Sequence, residues 1–225
     1  MRPTLQHAWD LSPEQAFALQ NQWRERVIQT DDFPTINTIA GVDVAYSKDE
    51  THLVGAVVVL DAQSLAIQTI SYAEERVSFP YVPGLFSFRE LPSLLAAFAK
   101  LEALPDLVVC DGQGIAHPRR FGLACHLGLM LDIPTLGCAK KRFIGEFSEP
   151  ATQRGASSDL IEDGEIVGKV LRTQTQIKPV FVSVGHRISL ASACDWVLKL
   201  TPHYRLPETT RTADHAVREY LKAHS

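Results

Sequence analysis

Two aspartates that interrupt or end apolar runs are the first sign of chemistry in this chain. Asp43 lies inside the run Thr38–Tyr46, and Asp111 directly follows the apolar run Leu107–Cys110. Both runs are typical of strands buried in a sheet. A buried carboxylate is costly unless it is paired or binds a cation. If the two strands are neighbours, both carboxylates could bind one cation, and an oxygen-rich site of this kind suits Mg²⁺ or Mn²⁺.

The segment that follows Asp111 joins glycines to basic side chains. Its residues of interest are Gly112, Gly114, His117, Arg119 and Arg120. From Asp111 to Arg142 the chain has five Lys and Arg residues and two Asp residues, although its overall formal net charge is -4. A local positive patch beside carboxylates suits a phosphate backbone. An ordinary strand-to-helix turn with a solvated helix face would use the same residue types, and the residues alone leave both possibilities open.

The segment Pro80–Gly84 is predicted to be a rigid apolar loop. Pro80 and Pro83 lack backbone donors and stiffen the chain, so this segment cannot continue a strand. Tyr81 could act as an aromatic wedge, because apolar side chains of this kind unstack the base pairs of a duplex. A loop that folds onto the core beneath it is the simpler alternative.

Glu90 and Asp214 each fit more than one placement. Ser87 and Glu90 have the spacing of a capping box for a helix that begins at Phe88. Pro92 would instead fit near the first position of a later helix, which would leave Glu90 outside that helix. Asp214 falls in the predicted last helix, where a lone aspartate is more often exposed than functional.

Composition predicts an ordinary globular protein. Of the 225 residues, 45% are hydrophobic and 21% are charged, which suffices for one α/β domain with a full core. Four cysteines without CxxC spacing are expected to be reduced core residues rather than zinc ligands. The first residues lack an apolar signal region, and no apolar run approaches the roughly 20 residues needed to span a membrane. We therefore expect a cytoplasmic protein that does not contact membranes.

The order of the predicted elements indicates an α/β fold with a mixed central sheet. The predicted strands are 38–46, 52–61, 66–77, 106–111, 135–139, 166–173 and 179–184. The predicted helices begin at Ser12, Ser87, about Arg119, Ser189 or Ser192, and Pro207. The first three strands predict an antiparallel meander, and the later alternation of helix and strand predicts parallel pairing with helices on both faces. We see no repeat or linker, so residues 1–225 are expected to form a single domain.

Five stretches of this chain, taken together, resemble the endonuclease V family of deoxyinosine 3′ endonucleases. They are Ile39–Tyr46, Pro80–Gly84 with Phe88–Glu90, Asp111–Gly122, Ala139–Gly145 and Leu206–Asp214. The stretches occur in family order and run from the first strand to the last helix. The combination is specific, although no single stretch is. Thr209 and Phe143 depart from the residues common in the family, and neither belongs to the metal-binding set.

The resemblance implies a ribonuclease H-like fold and a catalytic set. Asp43 and Asp111 match the metal-binding aspartates of the family, and Glu90 matches its catalytic glutamate, which also serves the metal. Asp214 matches a fourth position where the family has an acidic residue or a histidine. Lys140 matches a lysine placed near the scissile phosphate.

The resemblance also implies residues that bind DNA and the damaged base. Tyr81 matches the wedge tyrosine, and Gly112, Gly114 and His117 match a loop that helps to receive the extruded base. The implied binding residues are Pro80, Tyr81, Pro83, Gly84, Gly112, Gly114, His117 and Arg119.

The expected function is therefore repair of DNA that contains deaminated bases. The expected reaction is Mg²⁺-dependent hydrolysis of the second phosphodiester bond 3′ to deoxyinosine, with Mn²⁺ as a possible substitute, by a monomer. One alternative is an endoribonuclease that acts on inosine-containing RNA with the same metal site. A second alternative is a non-catalytic nucleic-acid binding module of the same fold, which would have no reason to keep carboxylates beside phosphates.

Overall fold

A computed structural model describes residues 3–224 of the chain. The described strands are β1 (Thr38–Tyr46), β2 (His52–Asp61), β3 (Ile67–Arg76), β4 (Leu107–Cys110), β5 (Thr135–Ala139), β6 (Ser157–Glu162), β7 (Glu165–Leu171) and β8 (Val180–His186). They form one sheet in the order β3-β2-β1-β4-β5-β8-β7-β6. The β1–β4 and β4–β5 pairs are parallel, and every other pair is antiparallel. The predicted meander and the predicted parallel strands are thus confirmed in one mixed sheet.

Helices cover both faces of this sheet. The described α-helices are α1 (Pro13–Trp23), α2 (Phe86–Phe98), α3 (Leu123–Leu131), α4 (Leu190–Lys199) and α5 (Glu208–His224). Gly55 of β2 faces Ser93 of α2, whereas its neighbours Val54 and Ala56 cluster with Val217 of α5. Because successive side chains of a strand point to opposite faces, α2 and α5 lie on opposite sides of the same strands.

Local signals in the sequence explain where two helices begin. Ser12 and Gln15 form both hydrogen bonds of a capping box at the start of α1, as predicted. Of the two predicted starts for α4, the structure has Ser189, whose side chain accepts a hydrogen bond from the backbone N–H of Ser192. These side chains satisfy donors that the first helical turn leaves free.

Other predicted boundaries are wrong, each for a physical reason. Helix α3 begins at Leu123 rather than near Arg119, because the preceding loop is tied to β8 by a hydrogen bond from the Ile115 N–H to the Val184 carbonyl. Strand β6 was not predicted, because Leu160 is its one fully buried residue and the strand has no clear alternation. The predicted alternation of β3 buries Ser71 and Ala73 but leaves Ile67 and Thr69 exposed, since β3 lies at the edge of the sheet.

Two composition-based expectations can be compared with the structure. Cys110, Cys125, Cys138 and Cys194 are free thiols, and the first three are buried. Within residues 3–224, no helix is long and apolar enough to cross a membrane.

Candidate active site

The register of β1 and β4 places Asp43 and Asp111 at the same edge of the sheet. Val42 pairs with Cys110 across the parallel strands, and each aspartate is the next residue along its strand. Burial raises the pKa of Asp43 to about 6, and the charges of Asp111 and Asp214 act in the same direction. The backbone N–H of Val44 and the charge of Lys140 oppose this rise only in part. The site therefore concentrates negative charge that is incompletely compensated.

Glu90 reaches this cluster from α2. Its side chain belongs to a residue that is 5% exposed, and the Tyr46 hydroxyl donates a hydrogen bond to Glu90 Oε1 at 3.2 Å. Arg89 in turn donates to the Tyr46 hydroxyl oxygen at 3.2 Å. Burial holds the pKa of Glu90 well above its usual range, and the charges of Asp43 and Asp111 add to this rise. Glu90 is thus a buried carboxyl that lacks a directly paired cation in the described structure.

The position of Glu90 matches neither placement considered from the sequence. Helix α2 begins at Phe86, ahead of both predicted starts, and Ser87 does not cap it. The helix continues through Pro92, so Glu90 is helical rather than outside the helix. Proline removes one backbone donor and restricts the preceding residue, but here the apolar face of α2 packs against β2 and β3 and outweighs that cost.

Lys140 supplies the nearest positive charge. It follows β5, the strand beside β4, and its Nζ lies 2.5 Å from Asp111 Oδ2. Partial burial lowers the pKa of Lys140, but the hydrogen bond and charge of Asp111, with Asp43 and Asp214, outweigh that effect and leave the pKa raised. Lys140 is therefore held as a cation against the carboxylate cluster.

Close packing of α5 against β1 brings Asp214 to the same edge. A Cβ on Gly41 would lie 1.9 Å from the Thr209 carbonyl oxygen, so the first turn of α5 can approach β1 only at a glycine. Asp214, one and a half turns later, contributes to the raised pKa of Asp43. Its carboxylate is also paired with Arg218 at 2.8 Å.

The donor chemistry of this cluster fits a hard divalent cation. Within the described residues, no group of three or more His, Cys, Asp or Glu side chains is already arranged around a common metal position. Asp43, Asp111 and Glu90 nevertheless offer carboxylate oxygens whose mutual repulsion and burial a cation would relieve. Oxygen donors of this kind suit Mg²⁺ or Mn²⁺ better than zinc.

A cavity of about 520 Å³ opens next to the carboxylates. Gly112, the residue after Asp111, lines it, as do Tyr81, Pro83, Gly84 and His117 from the set expected to bind the damaged base. Pro80, Gly114 and Arg119 from the same set do not line it. Tyr81 is 73% exposed at the mouth, so the loop does not fold its aromatic tip onto the core.

Arg119 holds the Pro80–Gly84 loop rather than facing solvent. The Gly84 carbonyl accepts hydrogen bonds from Gln20 Nε2 at 2.8 Å, from His117 Nε2 at 3.0 Å and from Arg119 at 3.0 Å. Arg119 also donates to Gln20 Oε1 at 2.5 Å, and its guanidinium lies 4.2 Å from the ring centroid of Phe17. These contacts fix the loop to α1. They also occupy the Arg119 guanidinium with groups of the protein itself.

His117 also anchors Gly84, and it does so as a neutral side chain. Burial lowers its pKa to about 4, and the charges of Arg119 and Arg120 act in the same direction. Because the Gly84 carbonyl can only accept, His117 Nε2 carries the proton, and Nδ1 accepts from the Arg119 backbone N–H at 3.2 Å.

Gly114 and Arg120 do not line the cavity and instead contact the sheet. The Gly114 N–H donates to Ser183 Oγ at 2.8 Å, and a Cβ at this position would lie 1.9 Å from the Val184 carbonyl oxygen. Arg120 pairs with Glu165 at 3.2 Å on the β6–β7 hairpin. Both residues therefore fix the loop to the sheet instead of contacting the contents of the cavity.

Several cavity-lining residues were not expected from the sequence to have a binding role. Gln20, Phe86, Ser87, Gln113, Gly122 and Leu123 line the cavity together with the expected residues. Gln113 had a recognisable signal, because a polar side chain stood between two glycines after a strand. Gln20 had none, since an amphipathic helix usually presents glutamine to solvent.

A mixed sheet with helices on both faces, with one carboxylate within β1 and a second directly after β4, is typical of nucleases of the ribonuclease H-like fold. The family model described as Endonuclease V matches residues 21–215. The chain belongs to the endonuclease V family.

Individual relatives agree with this assignment over nearly the whole chain. The curated endonuclease V of Nostoc punctiforme is 49% identical over 209 residues, which cover 92% of this chain and 95% of that protein. The crystal structure of Streptomyces avermitilis endonuclease V matches with a TM-score of 0.92 at 48% identity and covers 96% of each chain. Ciona intestinalis endonuclease V, in complex with a 24mer DNA containing an inosine followed by a ribo-adenosine, matches with a TM-score of 0.84 at 28% identity. That match covers 94% of this chain and 98% of the other.

Proposed function

We propose that this nuclease repairs DNA by cutting the second phosphodiester bond 3′ to a deaminated base, with deoxyinosine as the principal lesion. The observation that carries the proposal is the pairing of Asp43 and Asp111 on adjacent parallel strands, next to a cavity of about 520 Å³. A carboxylate site suited to a metal and a cavity large enough to admit a base, both on one edge of the sheet, suit an enzyme that flips a base and cuts nearby.

Asp43, Asp111 and Glu90 are the proposed ligands of the metal, and Asp214 is a fourth carboxylate close to Asp43. When bound, Mg²⁺, or Mn²⁺ in its place, would activate a water molecule and stabilise the charge that develops during an in-line displacement. Glu90 is the most buried of the three, and its carboxyl is held by the Tyr46 hydroxyl, which Arg89 contacts in turn. Asp111 is shared between this set and Lys140.

Lys140 is proposed to hold the scissile phosphate. Its ammonium is fixed by Asp111, yet its side chain remains 43% exposed, so it can meet an anion from solvent. Lys141 and Arg142 are exposed beside it and extend the positive charge along the rim of the cavity. A protein with a net negative charge must bind DNA through a local basic patch, and these residues form such a patch.

Tyr81 is proposed to fill the space that a flipped base leaves in the duplex. Its ring is exposed, while Pro83 and the anchored Gly84 limit the motion of the loop that carries it. The base itself would enter the cavity against Gly112 and His117. Pro80, Gly114 and Arg119 contribute by shaping and fixing these loops.

Inosine-containing RNA is the second candidate substrate. The ribonucleotide that follows inosine in the Ciona complex is the observation that keeps it open. Competition between matched DNA and RNA strands that each contain one inosine would separate the two functions.

The test of the proposed function is the position of the cut. A 5′-labelled duplex with one deoxyinosine should yield a single product that ends one nucleotide beyond the lesion, only when Mg²⁺ or Mn²⁺ is present. Equal cutting of duplexes with and without deoxyinosine, or cutting that persists in EDTA, would contradict the proposal. We further infer that the chain acts as one domain, since the strands of residues 3–224 join one sheet; residues 1, 2 and 225 of the expected domain lie outside the described residues. That this domain acts as a monomer remains part of the proposal. The free thiols support a reducing, cytoplasmic setting.

A further inference from the structure

Gln113, a residue that lines the cavity, has a buried side-chain acceptor without a partner among the described residues. Gln113 Nε2 donates to the Lys141 main-chain carbonyl at 3.2 Å. Because a carbonyl can only accept, the amide nitrogen must face Lys141 and Oε1 must point away from it. Gln113 Oε1 is buried, and it has no hydrogen-bond partner among the described residues. Leaving a buried acceptor unsatisfied destabilises the folded protein, so an unpartnered one in a cavity-lining residue requires an explanation.

The unpartnered oxygen does not result from a loose loop. The Gln113 carbonyl accepts a hydrogen bond from the Ala124 N–H at 3.0 Å, at the start of α3. Gly137 of β5 packs directly on the Gln113 backbone from the other side. The main chain that carries this side chain is thus fixed between a helix and a strand.

A second cavity-lining residue, Ser87, is also fixed as a hydrogen-bond acceptor, by a buried chain of hydrogen bonds. His7 Nδ1 lies 2.6 Å from the Ala8 carbonyl, which can only accept, so the proton of neutral His7 is on Nδ1. His7 Nε2 must then accept from His126 Nε2 at 2.9 Å. His126 Nδ1 in turn accepts from the Ser87 hydroxyl at 2.9 Å. The Ser87 proton is therefore committed, and Ser87 Oγ can offer only lone pairs to another group.

His7 and His126, the two histidines of this hydrogen-bond chain, are held neutral by their surroundings. Burial lowers the pKa of His126 well below its usual range and also lowers that of His7. The protonation state that makes Ser87 an acceptor is thus the one that the fold favours.

Two acceptors suit one change that deamination makes to a base. Adenine and cytosine present an acceptor nitrogen in the ring, beside an exocyclic amine. Hypoxanthine and uracil, their deaminated forms, present a ring N–H donor beside a carbonyl. A wall that offers lone pairs at the ring nitrogen would pair with hypoxanthine or uracil and repel the adenine or cytosine from which each derives, and such discrimination is strong when the site's own group is otherwise left unpaired.

We propose that Gln113 is a specificity-determining residue, whose side-chain carbonyl accepts a hydrogen bond from the ring N–H of the deaminated base, with Ser87 as a second acceptor. This inference rests on the proposed function, because the occupant is a base flipped from DNA. The partner that Gln113 Oε1 lacks is then supplied by the substrate.

The experiment measures the affinity of duplexes that carry hypoxanthine, unsubstituted purine, an abasic site or, as the undamaged duplex, adenine at one position, without divalent cations so that the strand stays intact. Purine keeps the two rings but has an acceptor nitrogen in place of the N–H. The variants are Gln113→Met, which removes the acceptor, and Gln113→Glu, which keeps an acceptor but cannot donate to Lys141. Ser87→Ala tests the second acceptor, and Gln63→Met at an exposed position is the matched control.

The wild type should prefer hypoxanthine to purine at least tenfold. Gln113→Met should reduce that preference about tenfold, equivalent to about 1.4 kcal/mol. Ser87→Ala should reduce the preference in the same direction, while Gln113→Glu and Gln63→Met should retain it. The affinity of each variant for the abasic duplex corrects for the added charge of Gln113→Glu and for any loss of folded protein.

Two results would overturn the inference. One is an unchanged preference in Gln113→Met. The other is an equal loss in Gln113→Met and Gln113→Glu, which would mean that the amide serves only to fasten Lys141. A wild type that binds hypoxanthine no better than an undamaged duplex would instead overturn the proposed function, and this inference with it.

Discussion

Lys140 Nζ lies 2.5 Å from Asp111 Oδ2, so one carboxylate of the proposed metal site is shared with a lysine from the neighbouring strand. The contact partly neutralises a cluster in which Asp43 and Glu90 both have raised pKa values. It also means that a cation which binds Asp111 must compete with the ammonium group.

Lys140→Met should therefore have opposite effects on metal binding and on the rate of cutting. Loss of the ammonium frees Asp111 and should lower the Mg²⁺ concentration needed for half-maximal nicking. The maximal rate should fall at least about tenfold, because the phosphate loses a nearby positive charge. Mg²⁺ titrations of single-turnover nicking separate the two quantities, and Lys178→Met, at an exposed position that does not line the cavity, is the control. A higher Mg²⁺ requirement in Lys140→Met would show that the two cations do not compete.

Arg119→Met should impair selection of the lesion without removing a phosphate contact. Arg119 donates to Gly84 and Gln20 and lies over Phe17, so its loss should loosen the Pro80–Gly84 loop. The salt dependence of binding should stay at the wild-type slope, whereas Lys141→Met should reduce the slope by about 1. Affinities measured between low and high salt check this. A reduced slope in Arg119→Met would identify it as a phosphate ligand, as first expected from the sequence.

Tyr81→Ala should weaken binding of a deoxyinosine duplex more than it slows the chemical step. The ring is 73% exposed, so its removal leaves the core intact. Stacking of an aromatic ring on bases contributes about 1–3 kcal/mol, which corresponds to roughly a 5- to 150-fold loss of lesion affinity. Binding to lesion and plain duplexes, with single-turnover nicking at saturating enzyme, provides the measurement. Unaltered selectivity for the lesion would exclude a wedge role.

Asp43 should make metal-free protein less stable as the pH rises through the range from about 4 to 6. Its pKa is raised to about 6 by burial, so the native state retains a proton that the unfolded state releases near pH 3.8. The free energy of unfolding of Asp43→Asn should therefore exceed that of the wild type at pH 7, by at most about 3 kcal/mol. At pH 4 the two free energies of unfolding should be similar. Urea unfolding with and without Mg²⁺ checks this, and Mg²⁺ should diminish the advantage of Asp43→Asn at pH 7. An advantage that is equal at both pH values would contradict the assigned shift.

Much of this site could be predicted from the sequence, because it depends on strands and on short-range signals. The apolar run around Asp43 and the abrupt end of β4 at Asp111 placed both aspartates correctly, and the mixed sheet made them neighbours. The loop that carries Tyr81 was predicted from its prolines.

The rest depends on tertiary contacts that leave little trace in the sequence. Glu90 lies within a helix that tolerates Pro92 because of packing on β2 and β3, which local propensity cannot reveal. Arg119 was expected to contact DNA, and its burial against Gln20 depends on a helix almost a hundred residues away. His126 lies in an apolar helix, and its pairing with His7 and Ser87 is likewise remote in sequence.

The most direct test of the account is single-turnover nicking of a deoxyinosine duplex in Mg²⁺ by Asp43→Asn and Asp111→Asn. Both variants keep the size of the side chain and remove its charge, and Asp195→Asn at an exposed position of α4 is the control. The paired-carboxylate site predicts that each variant loses at least about a hundredfold in rate, or about 2.7 kcal/mol of transition-state stabilisation, while the control stays at the wild-type rate. Nicking at the wild-type rate by either Asp43→Asn or Asp111→Asn would contradict the account.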